Sequence, residues 1–328
     1  MKKFLLIITL LFTFPIFSYA KNYDKKAYRE KIEYTSYNVE TYNDVLTGNY
    51  KSSKKTKLSG DLYLPSSDGK YPVVILQHGS GSMKYYNNWF SEIVPQLVKE
   101  GIGVFINDSY SGRKIGDTSK DQSKLSGTSR VLDAFFALDK LSKHKNVISD
   151  KIGITGYSFG GFVSHMTANN NLIKALNLKT TFAAHLPVYP TCQAYFKQID
   201  LTNKPVLFLL AEKDNWTPAK YCIEYVEKIK KTGSNNVKYK IYSDANHGFI
   251  YSSVKECKDC WKLTKCDAGY INDQGFYVWA GKEHKGKWNE MTQYLGKKCG
   301  SRGVKTGGSK KDKENLIQDT VNFFQNLL

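Results

Sequence analysis

The segment Gly156-Tyr157-Ser158-Phe159-Gly160 follows the short apolar run Lys151 to Thr155 and leads into Gly161 to Ala168. A serine framed by glycines between a strand and a helix sits on a sharp turn, its hydroxyl exposed above a helix N-terminus. That hydroxyl is a weak nucleophile at neutral pH and needs a base, and imidazole titrates in the right range. His247 answers this need, in Ala245-Asn246-His247-Gly248-Phe249 after the strand-like run Lys238 to Tyr242. The base in turn needs an acceptor that fixes its tautomer and stabilises its charged form. Asp214 stands just past the buried run Val206 to Ala211, and Thr217-Pro218 reads as a cap and first residue of the next helix. The three candidate catalytic residues are therefore Ser158, Asp214 and His247, each at the C-terminal end of an apolar run.

Attack on a carbonyl creates an oxyanion that needs hydrogen-bond donors. The run Tyr71 to Gln77 ends in His78-Gly79-Ser80-Gly81, a loop able to aim a backbone N–H at that charge. The expected donors are the N–H groups of Ser80 and of Phe159, the residue after the nucleophile. Gly79 or Gly81 would be the substitutes for Ser80.

The order Ser158, Asp214, His247 is that of the α/β-hydrolases. With Asp61-Leu62-Tyr63-Leu64-Pro65, His78-Gly79, Gly156 to Gly161, Asp214 with Thr217-Pro218, and Ala245 to Phe249, the chain resembles the dienelactone hydrolase branch of that superfamily over roughly residues 55 to 250. The resemblance implies an α/β fold with a doubly wound, mostly parallel sheet. It also implies a carboxylic-ester hydrolase working through an acyl-enzyme, with no metal and no organic cofactor. Classical members carry cysteine as nucleophile. Ser158 in its place favours ordinary esters over dienelactone. Members also hold a substrate carboxylate with arginines, which makes Arg113 the candidate substrate contact, together with Tyr157 beside the nucleophile. Arg130, at the start of a helical pattern, reads as structural. The alternatives are a prolyl-oligopeptidase-like peptidase, which would lack its propeller, and a noncatalytic binding module on a hydrolase scaffold.

Met1-Lys2-Lys3, the apolar run Phe4 to Phe17 and Ser18-Tyr19-Ala20 have the pattern of a signal peptide cleaved after Ala20. The apolar run is short for a membrane span. Export, to a periplasm or the medium, is the expectation, without a stable membrane anchor. Among the 328 residues the formal net charge is +18, but the lysines are dispersed and no nucleic-acid motif accompanies them. That balance reads as a solvated surface rather than a specific polyanion site. The expected partner is a small-molecule or polysaccharide-linked ester, and the oligomeric state is not legible.

Six cysteines in an exported chain read as disulfides. Cys192 and Cys222 pair plausibly within the core, which leaves Cys257, Cys260, Cys266 and Cys299. A zinc site is the rival for those four, but their intervals do not repeat a C-x-x-C knuckle.

Residues 21 to about 50 read as an N-terminal arm, and Lys57 to Leu64 alternates as an antiparallel edge strand would. From Val73 to Tyr242 strands alternate with the helical patterns Trp89 to Glu100, Gly127 to His144 and Ala219 to Lys231. The core spans residues 21–250 and the closing helix lies in 313–328. Between them, residues 251–312 form a Cys-, Trp- and Gly-rich insertion whose stretch Gly307 to Lys313 reads as a flexible linker. A stapled lid over the pocket, its tryptophans binding sugar rings or aromatic acyl groups, is one role for the insertion. A stapled excursion whose tryptophans build their own small core is the preferred one.

Overall fold

The computed structural model describes residues 24–328, and the expected leader, residues 1–20, lies outside them. The chain begins with β1 (Tyr28–Tyr37), the short helix α1 (Tyr42–Leu46), β2 (Lys55–Leu64) and β3 (Tyr71–Gln77). It continues through α2 (Met83–Lys99), β4 (Gly103–Asp108), α3 (Gly127–Ser142), β5 (Val147–Tyr157), α4 (Phe159–Met166) and α5 (Asn170–Ala175). Then follow β6 (Ala184–Val188), β7 (Val206–Ala211), α6 (Ala219–Lys231) and β8 (Val237–Tyr242). These eight strands form one sheet in the order β1-β2-β4-β3-β5-β6-β7-β8. Pairing is antiparallel from β1 to β4 and parallel from there on. The alternation of β2 is as read, but β1 covers its open side, so the edge strand is β1. The supposed arm is thus part of the sheet.

A sheet covered on both faces needs apolar residues at successive positions, and Val73 to Leu76 are all fully buried. Val73 and Ile75 face α3 and α4, meeting Val131, Phe135, Phe162 and Val163. Val74 and Leu76 face the other way, onto Trp89, Phe90 and Ile93 of α2. A side chain of this kind contributes roughly 1.5–3 kcal/mol when fully buried. Serine caps begin both long helices: Ser82 accepts from Tyr85 N ahead of α2, and Ser126 from Ser129 N ahead of α3. The cap starts α2 six residues earlier than its apolar pattern suggests.

After β8 come β9 (Lys255–Lys262), β10 (Tyr270–Ile271), β11 (Tyr277–Trp279), β12 (Lys282–His284), α7 (Trp288–Cys299) and β13 (Ser301–Thr306). The strands make a β9–β13 ribbon and a three-stranded β10-β11-β12 sheet. Ile271, Tyr277, Trp279, Trp288, Met291 and Leu295 join the same apolar cluster as Phe162 of α4 and Tyr42 of α1. The tryptophans therefore do not build a separate small core; they pack on the hydrolase layer. Asn43 N to Gly275 O (3.0 Å) and Trp288 N to Glu40 Oε2 (2.8 Å) fasten the segment to the N-terminal region.

The closing helix α8 (Lys310–Gln325) starts three residues before the 313 read from the sequence, because Ser309 and Asp312 form a capping box. Leu316, Val321 and Phe324 pack beneath the sheet with α2. The six cysteines pair as Cys192–Cys222, Cys257–Cys260 and Cys266–Cys299, so no free thiolate remains to hold zinc. No helix among the described residues is long and apolar enough to cross a membrane.

Three histidines lie within the core. Burial lowers His78 to about 3, and His165 and His185 to about 4, from an ordinary 6.5. A histidine neutral in the fold but free to charge when unfolded adds stability above its unfolded value, lost as the pH falls toward the folded one. Between about pH 6 and about pH 4.5, unfolding should therefore take up about three extra protons, a slope of about 4 kcal/mol per pH unit. Urea unfolding across that range measures it, and a stability independent of pH would contradict the burial of these rings.

Candidate active site

Ser158 stands where β5 turns into α4, at φ 58° and ψ −117°. A non-glycine residue in such a region carries roughly 1–3 kcal/mol of strain, which the surroundings must impose. They do so by leaving no room for anything but glycine on either side. A Cβ on Gly156 would lie 2.1 Å from Gly160 O, and one on Gly160 would lie 2.2 Å from Gln77 O. The Ser158 N–H donates to Val188 O at 3.0 Å and ties the turn to β6.

Ser158 Oγ lies 2.8 Å from His247 Nε2, and His247 Nδ1 lies 2.8 Å from Asp214 Oδ2. The three side chains come from the ends of β5, β7 and β8, as their order in the chain requires. Asp214 Oδ1 accepts from the N–H groups of Trp216 and Thr217, both at 2.8 Å. One oxygen is thus held by backbone while the other faces the imidazole. Thr217 does not cap α6, whose cap position is Pro218 and has no side-chain bond. Its hydroxyl instead sits among Asp214 Oδ2 (3.0 Å), Tyr189 O (3.1 Å) and His247 Nδ1 (3.0 Å). With Nδ1–H pointing at the carboxylate, Nε2 is free to accept from the serine. The ring is packed between Trp216 and Tyr189, whose centroids are 4.7 and 4.9 Å away.

The histidine loop is braced from behind. Gly307 N donates to His247 O at 2.7 Å, and Asn246 N to Gly307 O at 3.0 Å. The glycines read as a flexible linker are hydrogen-bonded against the imidazole's own backbone, and Gly307 uses its left-handed φ of 99° to do it.

The loop after β3 carries the expected oxyanion donors. The carbonyls of His78, Gly79 and Ser80 all turn inward. Arg130 donates to His78 O and to Gly79 O (3.3 Å), Tyr110 Oη reaches Gly79 O and Ser80 O at 3.3 Å each, and Thr118 N donates to Ser80 O at 2.9 Å. The Ser80 N–H shares its peptide plane with Gly79 O, so trans geometry turns it the opposite way. Phe159 opens α4, so its N–H has no intrahelical acceptor. His78 holds the loop's other side, its Nε2 accepting from Ser109 N at 3.2 Å. Arg130 is itself buried and lies 4.9 Å from the Phe159 ring.

Neither residue read as a substrate contact reaches the site. Arg113 is folded inward onto Asp133 at 2.7 and 2.8 Å, with the two side chains 4% and 0% exposed. Its Nε donates to Asn38 Oδ1 at 2.7 Å. A fork paired on every side has nothing left for a substrate. The Tyr157 ring is fully buried in the layer below, against Trp89 and Tyr86. Residues i and i+1 of a strand point to opposite faces, and this is why being next to Ser158 does not bring Tyr157 to the cleft.

Cavities open on both sides of Ser158, divided by Trp216. One, of about 100 Å³, is walled by Phe159 and Phe162 and by Trp279, Trp288, Met291 and Leu295 of the inserted segment. The other, of about 190 Å³, is bounded by His247, Tyr85, Tyr86, Asp117, Ser119 and Thr306. The sequence offered a lid over the pocket only as the less favoured role of 251–312, and it did not show the roles of Thr217 and Arg130. For Thr217 the nearby signal was its spacing from Asp214; for the walls it was the tryptophan content of 251–312.

A mostly parallel sheet carrying a positive-φ serine elbow, with a histidine and an aspartate on later strand ends, defines an α/β-hydrolase. The sequence profile of the Dienelactone hydrolase family matches residues 58–298, and the chain belongs to that family. It is a carboxylic-ester hydrolase by class. Among related proteins, Protein usf of Aquifex pyrophilus is 28% identical over 223 residues, covering 63% of this chain and 91% of that protein. A carboxymethylenebutenolidase homolog of Mus musculus is 25% identical over 172 residues, covering 49% of this chain and 64% of that one. Of solved structures, the dienelactone hydrolase-like promiscuous phosphotriesterase P91 from metagenomic libraries superimposes with a TM-score of 0.52 at 11% identity, over 91% of this chain and 98% of that one.

The ion pair has a testable consequence. Arg113→Met leaves Asp133 charged and buried, a loss of about 3–5 kcal/mol. Denaturant titration should show that loss, with KM for a neutral ester unchanged. A raised KM at unaltered stability would instead make Arg113 a substrate contact.

Proposed function

We propose that this protein hydrolyses carboxylic esters through Ser158, His247 and Asp214. The observation that carries the reading is the unbroken line of contacts from Asp214 Oδ2 to His247 Nδ1 and from His247 Nε2 to Ser158 Oγ, each 2.8 Å. In the first half-reaction Ser158 Oγ attacks the acyl carbon while His247 Nε2 takes its proton. Asp214 stabilises the imidazolium without itself being protonated. The carbonyl oxygen gains charge toward the N–H groups of Phe159 and Ser80, and the buried Arg130 cation behind their loop adds to the favourable field. Imidazolium then gives its proton to the alcohol oxygen, the C–O bond breaks, and an acyl-Ser158 ester remains. Water enters beside His247, loses a proton to Nε2 and attacks the ester, and that proton returns to Ser158 Oγ as the acid leaves.

Export is part of the proposal. Three disulfides, one bridging β9 within a single turn of chain and two joining separate elements, suit an oxidising compartment. The leader pattern at residues 1–20 points the same way. The substrate is a small ester or an ester borne on a polysaccharide.

Hydrolysis of p-nitrophenyl acetate with Ser158→Ala as control tests the mechanism. Ser158→Ala should abolish turnover and labelling by a fluorophosphonate while leaving the fold intact by circular dichroism. Activity that survives the substitution would sink the assignment. Asp214→Asn should lower kcat about 10⁴-fold, because the carboxamide favours the wrong imidazole tautomer. A loss confined to KM would mean that Asp214 does not orient His247.

A further inference from the structure

We infer that the smaller cavity is the acyl pocket and takes an uncharged acyl group of about one aromatic ring. The larger cleft on the other side of Trp216 then takes the alcohol. This rests on the serine-esterase reading above. The argument begins with the proton. His247 must protonate the oxygen that leaves, so the alcohol lies on the side where His247 is exposed. His247 bounds the cleft of about 190 Å³ and does not line the cavity of about 100 Å³. With the carbonyl oxygen at Phe159 and Ser80, the acyl chain is left to the smaller cavity.

The chemistry of its walls follows from their hydrogen bonds. Three indole N–H groups are spent on backbone carbonyls: Trp216 on Trp261 O (2.8 Å), Trp279 on Asp267 O (2.6 Å) and Trp288 on Gln122 O (2.6 Å). These three indoles are thereby fixed in place with their donors already used, and Trp261 is the fourth tryptophan of the wall. Gln193 gives its amide hydrogens to Leu263 O (3.1 Å) and Cys266 O (3.3 Å). Lys262 is the single charged residue at this cavity among the described residues, and its Nζ donates to Gly303 O. With Arg113 paired elsewhere, Lys262 is left as the one cation an acyl carboxylate could meet, and the surrounding apolar walls disfavour burying that ion.

Size and shape narrow the choice further. Phe159 meets Phe162 and Trp288 edge-on at 5.5 and 6.4 Å, and Trp288 meets Tyr277 at 5.9 Å. Rings at these angles present both faces and edges, the contacts a further ring prefers. An apolar cavity of roughly 150 Å³ accepts benzene, so about 100 Å³ opening onto Ser158 limits the acyl group to one ring at most and leaves no room for a long alkyl chain. The inserted segment, by supplying Trp279, Trp288, Met291 and Leu295, acts as the determinant of acyl selectivity.

The test compares p-nitrophenyl esters of acetate, benzoate, decanoate and hemisuccinate on the full-length protein, with fluorophosphonate labelling alongside. Benzoate should exceed both decanoate and hemisuccinate in kcat/KM by at least about ten-fold, the discrimination expected of an apolar pocket. Met291→Ala should raise the decanoate-to-benzoate ratio and leave the ratio of phenyl to methyl benzoate unchanged, since that ratio reads the alcohol side. Acetate turnover with decanoate or hemisuccinate equal to or above benzoate would overturn the pocket assignment while leaving the serine mechanism standing. A Met291→Ala effect confined to the alcohol ratio would do the same. Absence of turnover on every ester, with Ser158 unlabelled, would overturn the esterase reading and this inference with it.

Discussion

The close approach of β3 and β5 at their C-terminal ends is the constraint on which the site depends. Their parallel register sets Gln77 opposite Gly156, so the oxyanion loop and the serine turn leave the sheet side by side. Nothing larger than hydrogen is tolerated on Gly160, because Gln77 O would lie 2.2 Å from its Cβ. Ser158, two residues earlier in the same turn, stands at a φ of 58°. The same proximity sets Phe159 and Ser80, the proposed oxyanion donors, beside Ser158 at one cavity. A shift of one residue in the β3–β5 register would separate them and reverse every side chain on the strand.

Electrostatics at the site is settled by what is buried and paired. Asp214 is held by backbone N–H groups and the Thr217 hydroxyl, at 2.8 to 3.0 Å. Arg113 and Asp133 neutralise one another inside the fold. Arg130 is different: its Nη1 and Nη2 donate to carbonyls of the oxyanion loop rather than to a carboxylate, and its buried Nε has no hydrogen-bond partner. Its charge therefore stands uncompensated next to the place where negative charge would develop. Burial of such a group costs stability, and holding the loop is a use that accounts for the cost.

The inserted segment and the catalytic loop are mechanically joined. Thr306 bridges His247, and Gly307 exchanges hydrogen bonds with residues on either side of the bridge. Cys266–Cys299 closes the segment on itself, and its aromatic residues share one apolar cluster with α4. Pocket shape and imidazole position are thus held by the same piece of chain. This coupling explains why aromatic rings that a small excursion would need for its own folding are instead turned onto the hydrolase layer.

The sequence by itself determined the sheet's buried strands, the order of the candidate nucleophile, acid and base, and the loops that carry them. Those features are local: an apolar run of given length, a glycine pair around a serine, a histidine after a strand. It also marked Cys192 and Cys222 as partners, while leaving the other four cysteines open. Tertiary structure decided the rest, because it concerns partners far apart in the chain. Arg113 looked free on its loop until Asp133, twenty residues on, claimed it. Tyr157 adjoins Ser158, yet the alternation of a strand sends its ring into the core. Thr217 looked like a cap, and only the fold brings Tyr189 O and His247 within reach of its hydroxyl. The acyl-side walls come from segments more than a hundred residues apart, and no pattern within either one announces that they meet.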